Sequence, residues 1–271
     1  MKKLFFPLIT FPLLLLTACN NQATTSDHGA IDMETKLKGD STRYGLACDG
    51  CSDSIIVFLP NEGGDPIKFD IVTAMRNGMV YGTPKIGDEL AILPNPIDPL
   101  EAVMVINLEQ MKGTWTFQVL PKLKPNPTKT NEQIMAEMSD SMKKALFIPR
   151  EYGFTLKSYN QASPVGYVMK ANSLEDESPV EYPKVTVYTS WHIFNGRLYI
   201  YKDTIDEQGH RIPQDSVGFD SGSMRYLSAD SMAALFGKKV MQYHRKKNAL
   251  EANKEAQKAE EHNATMSDDK K

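Results

Sequence analysis

A pair of cysteines supplies the most reactive side chains of the chain. Cys48 and Cys51 form a C-x-x-C pair directly ahead of the apolar run IIVFLP. Such a pair can act as a redox centre at a helix N-terminus, supply half of a zinc site, or close a disulfide in an oxidising compartment. Here a β-rich segment follows the pair, and the sequence offers no second C-x-x-C and no H-x-x-x-H. The usual surroundings of a redox or zinc centre are therefore missing.

Catalytic motifs are missing as well. The five histidines are scattered, and the sequence contains no G-x-S-x-G, H-E-x-x-H or EF-hand pattern. Lys and Arg total 31 against 34 Asp and Glu, so the net charge is small and no basic surface for nucleic acid is indicated. We expect a protein that is not an enzyme, with no metal site, no cofactor and no nucleic-acid partner.

The beginning of the chain indicates export. Two lysines precede an uncharged apolar stretch that ends at Ala18. This stretch is shorter than the roughly 20 residues that span a bilayer, so it predicts a secretion signal rather than a membrane helix. Residues 16–19 read Leu-Thr-Ala-Cys, which resembles the lipobox of bacterial lipoproteins. The resemblance implies cleavage after Ala18, diacylglycerol on the Cys19 sulfur and further acylation, for example by palmitate, which together anchor a protein stably.

The resemblance to lipoproteins also bears on location and on the cysteine pair. We expect an anchor in the outer membrane, on the periplasmic side by default, with the cell surface as the alternative. Outside the cytoplasm disulfides persist. With Cys19 modified by lipid, Cys48 and Cys51 remain for each other, and a structural disulfide in a tight turn is the favoured prediction. A free pair, a redox or metal function, and an ordinary signal peptide with a chance cysteine are the alternatives.

Short apolar runs and one helical pattern occupy the first part of the body. Ile71 and Met75 lie at helical spacing, and Asn77 and Gly78 provide a C-terminal stop. The segment KIGDELAIL resembles the Gly-Asp turn of OB-fold and SH3-like barrels. We therefore expect a small α/β domain or OB/SH3-like barrel over residues 43–110.

The clearest local signal is the segment VTVYTSWHIFNGRLYIYK. Its Asn-Gly pair at positions 195 and 196 predicts a type I′ hairpin, because both central residues of that turn need a positive φ. In this register Ile193 faces Leu198 and Trp191 faces Ile200, so that both pairs share one face of the sheet. Val185 and Val187 are expected to extend the same face along their strand.

The second part of the body resembles the lipocalins and the wider calycin group. The short segment NLEQMK leads into Gly113-Thr114-Trp115 and the strand TFQVL, as a short helix leads into the G-x-W motif of that family. The resemblance implies an eight-stranded antiparallel barrel in which an arginine of the last strand packs over the tryptophan. The run KKVMQYHRKK offers Arg245 for this barrel-closing pair with Trp115.

The sequence thus predicts a mainly β protein with a small N-terminal domain, a lipocalin-like barrel and a helical insertion. The expected barrel strands lie at about 114–120, 152–158, 165–170, 184–194, 197–202, 217–221, 223–227 and 239–245, with a different division of the sixth and seventh as the alternative. The expected organisation is a signal peptide over residues 1–18, a flexible tether over 19–42, the small domain over 43–110, the barrel over 111–247 and a charged helical or disordered tail over 248–271.

The helical insertion separates the first two barrel strands and carries a methionine-rich stripe. Its apolar positions are Ile134, Met135, Met138, Met142 and Leu146, with Thr130 or Asn131 as the N-cap. In lipocalins the first inter-strand loop covers the open end of the barrel. The stripe therefore predicts an adaptable lid over an apolar ligand, and a helix packed permanently on the protein is the alternative.

Two non-catalytic functions follow. In the first, the barrel binds a small lipophilic molecule, and the ligand-binding candidates are Trp191, Ile193, Leu198, Ile200, Met135, Met138 and Met142. In the second, these large inward-facing side chains fill the barrel, and the lipoprotein acts through an unidentified protein partner. Binding is the favoured hypothesis, because of the family resemblance and the lid-like insertion.

Overall fold

Antiparallel β-strands make up most of the fold. The computed structural model describes residues 39–166, 178–203 and 218–259. They form a six-stranded mixed sheet followed by an eight-stranded antiparallel sheet that curls into a nearly closed barrel. The predicted mainly β architecture, with a smaller unit ahead of a barrel, is confirmed. None of the helices in these ranges is long and apolar enough to cross a membrane.

The small sheet contains six strands, of which the apolar runs of the sequence indicate four. Its strands are β1 (Arg43–Ala47), β2 (Ile55–Pro60), β3 (Ile67–Asp70), β4 (Val80–Tyr81), β5 (Glu89–Pro94) and β6 (Ala102–Asn107), with helix α1 (Val72–Arg76) between β3 and β4. The strand order is β3-β2-β1-β5-β6-β4, and only the β4–β6 pair is parallel. Strands β1 and β3 lack a continuous apolar run, which is why sequence patterning missed them.

Both faces of the small sheet are covered, each by a different core. On β5, Leu90 and Ile92 belong to the core of the small sheet itself, whereas Ala91 between them belongs to the core of the barrel. On β6, Val105 belongs to the core of the small sheet and Ile106 belongs to the core of the barrel. Since successive strand residues point to opposite faces, a strand segment buried on both faces must be apolar, as LAIL within β5 is. The small sheet therefore covers one end of the barrel.

The barrel follows the short helix α2 (Leu108–Met111). Its strands are β7 (Gly113–Val119), β9 (Arg150–Leu156), β10 (Ala162–Val165), β12 (Val187–Phe194), β13 (Arg197–Asp203), β14 (Gly218–Leu227), β15 (Ser231–Phe236) and β16 (Lys239–Lys246). The strand order is β10-β9-β7-β16-β15-β14-β13-β12. A bridge between Gln161 and Ser190, and a hydrogen bond from the Trp191 amide to the Asn160 carbonyl at 2.7 Å, bring the two edge strands together.

The division of the sixth and seventh strands was wrong. Residues 218–227 form one long strand rather than two, and the strand Ser231–Phe236 was missed. The reason is the weak β-signal of small residues. Gly222 lies in the middle of β14, where the Phe236 ring occupies the place of a side chain, and Ala233 and Ala234 occupy the centre of β15.

The Asn-Gly hairpin has the predicted register. Asn195 and Gly196 have φ values of 47° and 72°, Ile193 pairs with Leu198, and Trp191 pairs with Ile200. A β-bulge between Tyr188 and Ser190 then shifts the pairing, so that Tyr188 faces Lys202. Val187 is consequently moved off the face that it was expected to extend, and Tyr188 takes that place.

The insertion between β7 and β9 holds two short helices instead of one. Helices α3 (Asn131–Glu137) and α4 (Asp140–Leu146) are separated because Ser139 caps the second helix through a hydrogen bond from the Met142 amide. Thr130 is the N-cap of α3 and forms a complete capping box with Gln133. A two-residue strand, β8 (Lys122–Leu123), pairs with β11 (Val180–Glu181) outside the barrel.

The first part of the tail packs on the barrel. It contains the helix α5 (Ala249–Ala252), and Ala252 and Ala256 are buried. The Asn253 side chain accepts a hydrogen bond from the Glu151 amide at 2.8 Å and donates one to the Glu151 carbonyl at 2.9 Å. Of the two expected states of the tail, helical or disordered, this part is helical, and it packs on the barrel because Asn253 takes the place of a neighbouring strand beside β9.

Candidate functional site

Arg245 and Trp115 close one end of the barrel. The Arg245 guanidinium carbon lies 4.2 Å from the centre of the Trp115 ring, and Trp115 is fully buried. The guanidinium also donates hydrogen bonds to the backbone carbonyls of Gln110, Lys112 and Ala229. Burial lowers the pKa of Arg245, although the nearby Asp230 carboxylate opposes this shift. The contact is both a cation–π interaction and a connection between three chain segments.

The glycine of the G-x-W motif has a steric role in this contact. Gly113 has a φ of +136°, and a Cβ atom there would lie 2.1 Å from an Arg245 guanidinium nitrogen. A side chain at this position would displace the arginine from the tryptophan. The contact between Arg245 and Trp115 therefore depends on a glycine at position 113.

The half of the barrel next to the small sheet is filled by side chains. Four of the ligand-binding candidates lie there and are at most 3% exposed, namely Trp191, Ile193, Leu198 and Ile200. The small sheet seals this end, where the Tyr81 hydroxyl donates a hydrogen bond of 2.9 Å to the Met224 carbonyl. These four residues form core, so a ligand that enters from solvent has to contact other side chains.

The opposite half of the barrel interior is accessible. Four side chains, Phe117, Tyr188, Phe236 and Met241, point inward by register but remain partly exposed. One layer deeper, Trp115, Met232 and Ala234 on the same strands are at most 1% exposed. Solvent therefore reaches the layer of the interior that these four side chains form. We call the part of the interior lined by these four residues the open half.

Charged and hydroxyl groups line the open half next to aromatic rings. Lys202 and Asp220 face inward beside Ile200, and the Lys202 ammonium lies 2.6 Å from the Asp220 carboxylate. The Tyr188 hydroxyl donates to the other Asp220 oxygen at 3.1 Å. Burial raises the pKa of Tyr188, and the Asp220 charge adds to the effect. The side chains of Lys202 and Asp220 are 37% and 34% exposed, so the pair stays within reach of a ligand.

Tyr243 lies at the base of the open half. Its ring packs 5.0 Å from the Phe154 ring and 5.7 Å from the Phe117 ring, and the residue is only 5% exposed. Burial raises its pKa, and Tyr188 and Asp220 act in the same direction. Within the described part of the chain, the Tyr243 hydroxyl forms no hydrogen bond. The hydroxyl oxygen is not among the fully buried unpartnered polar atoms of the described residues, so it stays accessible from the open half.

The chain segments after β7 and β10 meet above the open half. The Arg150 guanidinium lies 3.4 Å from the centre of the Tyr182 ring, and the Tyr182 hydroxyl donates to the Ile148 carbonyl at 2.6 Å. Of the candidate lid methionines, Met138 is buried, Met135 is half-buried and Met142 is 49% exposed. The break at Ser139 separates Met142 from the other two, so the three do not form one continuous stripe.

The predicted Cys48–Cys51 disulfide is not formed in the structure. Both residues are free cysteines. The Cys51 thiol donates to the Cys48 carbonyl at 3.2 Å and accepts from the Val57 amide at 3.3 Å, so its sulfur takes part in the turn between β1 and β2. The Cys48 sulfur lies beside the Leu46 carbonyl instead. Cys19, the predicted lipidation site, lies outside the described residues.

Sequence reasoning missed the residues of the open half. Tyr188, Lys202 and Asp220 lie on three different strands, and Tyr188 faces inward only because of the bulge. The one available signal was a charged residue, Lys202, at a position where the alternation of LYIYK required an inward side chain. That position identifies a polar group inside the barrel.

The comparison with known proteins yields one similar solved structure. No family model matches the chain, and no curated protein matches it. The chain is similar to a lipocalin-like protein from Bacteroides thetaiotaomicron, with 17% sequence identity, a TM-score of 0.26, and coverage of 50% of this chain and 95% of that chain. The description of the barrel as lipocalin-like rests on its own strand order and on the contact between Arg245 and Trp115.

Proposed function

We propose that this protein is a non-catalytic envelope lipoprotein whose barrel binds a small lipophilic ligand in the open half. The observation that carries the proposal is the partial exposure of inward-facing apolar and aromatic side chains at one end of a barrel that is filled at the other end. Pockets for small molecules are mostly apolar, with a few polar groups that fix the orientation of the ligand. The apolar lining consists of Phe117, Phe236 and Met241. The polar groups are the Tyr188 hydroxyl and the Lys202–Asp220 pair.

A matched pair of substitutions on one strand tests the proposal. Met241 points into the open half, whereas its neighbour Val240 points outward and is 50% exposed. The suitable protein is the chain from position 19 onward with Cys19→Ser, because an attached acyl chain could otherwise occupy the barrel. Binding of the neutral lipophilic dye Nile red is followed by fluorescence titration.

We expect Met241→Trp to lower the affinity for Nile red about tenfold or more, equivalent to at least about 1.4 kcal/mol, because the larger ring fills the open half. Val240→Trp should leave the affinity unchanged. Equal affinities of the two variants would contradict a site inside the barrel. A parent protein that binds neither Nile red nor any envelope lipid would contradict the proposed function itself.

The lipid anchor forms the second part of the proposal. Support comes from the sequence of residues 16–19, which places Cys19 at the end of an export signal. We propose that acylation of Cys19 holds the barrel at the periplasmic side of the outer membrane. Metabolic labelling with an alkyne analogue of palmitate tests this, and we expect label on the wild-type protein and none on the Cys19→Ser variant.

A second candidate function is an interaction module with a filled barrel. It is favoured by an aromatic cluster on the outside of the barrel, where Phe219 is 51% exposed and packs 5.3 Å from Tyr199 and 6.0 Å from Tyr201. Exposed aromatic groups of this kind occur at protein interfaces. Absence of any ligand from the open half would favour this candidate.

A further inference from the structure

The open half contains a hydrogen-bonding group that the protein itself does not use. Tyr243 is 5% exposed, and its hydroxyl has no hydrogen-bond partner among the described residues. The ring is held in place by Phe154 and Phe117, and the hydroxyl oxygen is not among the fully buried unpartnered atoms, so it faces the open half. An accessible hydroxyl group that bonds to no protein atom is satisfied by water or by a bound molecule. This hydroxyl is therefore available to a polar atom of a ligand.

The charges around Tyr243 define which kind of polar atom fits. The Asp220 carboxylate accepts from Tyr188 at 3.1 Å and from Lys202 at 2.6 Å, so the positive charge of Lys202 is already compensated. An anionic head group would meet the Asp220 carboxylate, and a cationic head group would meet the Lys202 ammonium. Either charge would also have to be removed from water to enter the barrel. A neutral head group that both donates and accepts hydrogen bonds avoids these costs.

We propose that the open half selects amphipathic ligands with a neutral hydrogen-bonding head, such as an alcohol or a primary amide, and that the Tyr243 hydroxyl binds this head. The inference rests on the proposed function, because it assigns a ligand class to the same site. The tail of the ligand contacts Phe117, Phe236 and Met241, and the head lies between Tyr243 and the Tyr188–Asp220 pair. Tyr188 already donates its proton to Asp220, so Tyr243 is the hydroxyl that donates to the ligand.

Four ligands with the same decyl chain separate the effect of the head group from that of the tail. The chain from position 19 onward with Cys19→Ser is titrated calorimetrically with decanol, decanamide, decanoate and decylamine. We expect decanol and decanamide to bind about tenfold or more tightly than the two charged ligands. Equal or tighter binding of decanoate would overturn the selection of neutral heads, whereas absence of binding for all four would overturn the proposed function as well.

Replacement of Tyr243 by phenylalanine removes the hydroxyl and keeps the ring. Tyr243→Phe should weaken the binding of decanol about two- to tenfold, the range expected for one hydrogen bond. The substitution keeps the ring and does not displace the apolar lining, so it should not weaken the binding of Nile red. Tyr226→Phe is the matched control, because Tyr226 is 55% exposed on the neighbouring region of the barrel. Unchanged decanol binding in a folded Tyr243→Phe variant would overturn the role of this hydroxyl, while binding of Nile red would still support a site in the open half.

Discussion

Arg245 contributes more contacts to the barrel than its charge alone suggests. It covers the Trp115 ring and binds carbonyl groups of the segment before β7 and of the β14–β15 turn. Loss of its side chain would leave these carbonyls without donors and uncover an indole that is now fully buried. The residue therefore fixes the closed end of the barrel.

We expect Arg245→Ala to lower the free energy of unfolding by about 2–4 kcal/mol, from the lost cation–π contact and the unsatisfied carbonyls. Urea denaturation followed by tryptophan fluorescence measures the change. Arg225→Ala, which removes an exposed arginine of β14, serves as the control and should change the stability by less than about 0.5 kcal/mol. Similar effects of the two substitutions would contradict the role assigned to Arg245.

His192 is a second residue with a specific energetic consequence. It lies on the outer side of β12, stacks on Tyr199 and Tyr201, and is 8% exposed. Burial lowers its pKa below the usual 6.5, and the Asp40 carboxylate only partly opposes this shift. The unfolded chain therefore binds a proton more readily than the folded protein.

Stability should consequently decrease as the pH falls through about 6.5, where the histidine of the unfolded chain becomes protonated, and the loss should be complete at the lower folded pKa. We expect His192→Gln to reduce the difference in melting temperature between neutral and mildly acidic solution. His244→Gln, at an exposed position of β16, should not change that difference. A pH dependence that is the same in all three proteins would refute the assignment to His192.

At the scale of the elements, local signals were reliable and long-range ones were not. The Asn195-Gly196 turn needs only two adjacent residues, and its register followed directly. The bulge at Tyr188 and the division of β14 and β15 depend on partners far along the chain, and neither was predicted. The open half illustrates the consequence, because Tyr188, Lys202 and Asp220 meet only when three strands and one bulge are in place.

The docking of the tail is another arrangement that has no local signal. Its sequence is polar and highly charged, yet Asn253 is 5% exposed and hydrogen-bonds to both backbone groups of Glu151. A single asparagine side chain thus satisfies a part of β9 that has no neighbouring strand on that side. Hydrophobic periodicity cannot identify a contact of this kind.

We expect Asn253→Ala to destabilise the protein by about 1–2 kcal/mol, because two backbone groups lose their partners. The amide proton of Glu151 should also exchange faster with solvent, which hydrogen-exchange NMR can resolve. Lys254→Ala provides the control, since the Lys254 side chain is 60% exposed. If the Glu151 amide remained equally protected in the Asn253 variant, the tail contact would have no structural role.

At the scale of the whole molecule, the small sheet and the barrel form a single arrangement with one closed end. Strands β5 and β6 contribute residues to both cores, and Tyr81 connects the small sheet to Met224 of the barrel. The small sheet thereby occupies the end of the barrel where a ligand would otherwise enter. Access is left to the opposite end, where the inward-facing side chains are partly exposed.

The resemblance to lipocalins anticipated this barrel but not the location of its accessible part. The hairpin register places Trp191, Ile193, Leu198 and Ile200 on one face, and that face does point inward. Their burial depends on the small sheet, which covers the same end of the barrel. The position of an inward-facing residue along the barrel axis depends on the tertiary structure. The sequence pattern therefore cannot distinguish residues in the filled half from residues in the open half.

Native mass spectrometry tests the central claim most directly. The chain from position 19 onward with Cys19→Ser would be exported to the periplasm, purified without detergent and compared with its Met241→Trp and Val240→Trp variants. We predict a bound lipophilic molecule in the parent protein and in Val240→Trp, and its loss from Met241→Trp. A ligand-free mass for the parent protein, unchanged after incubation with an envelope lipid extract, would contradict a ligand-binding barrel.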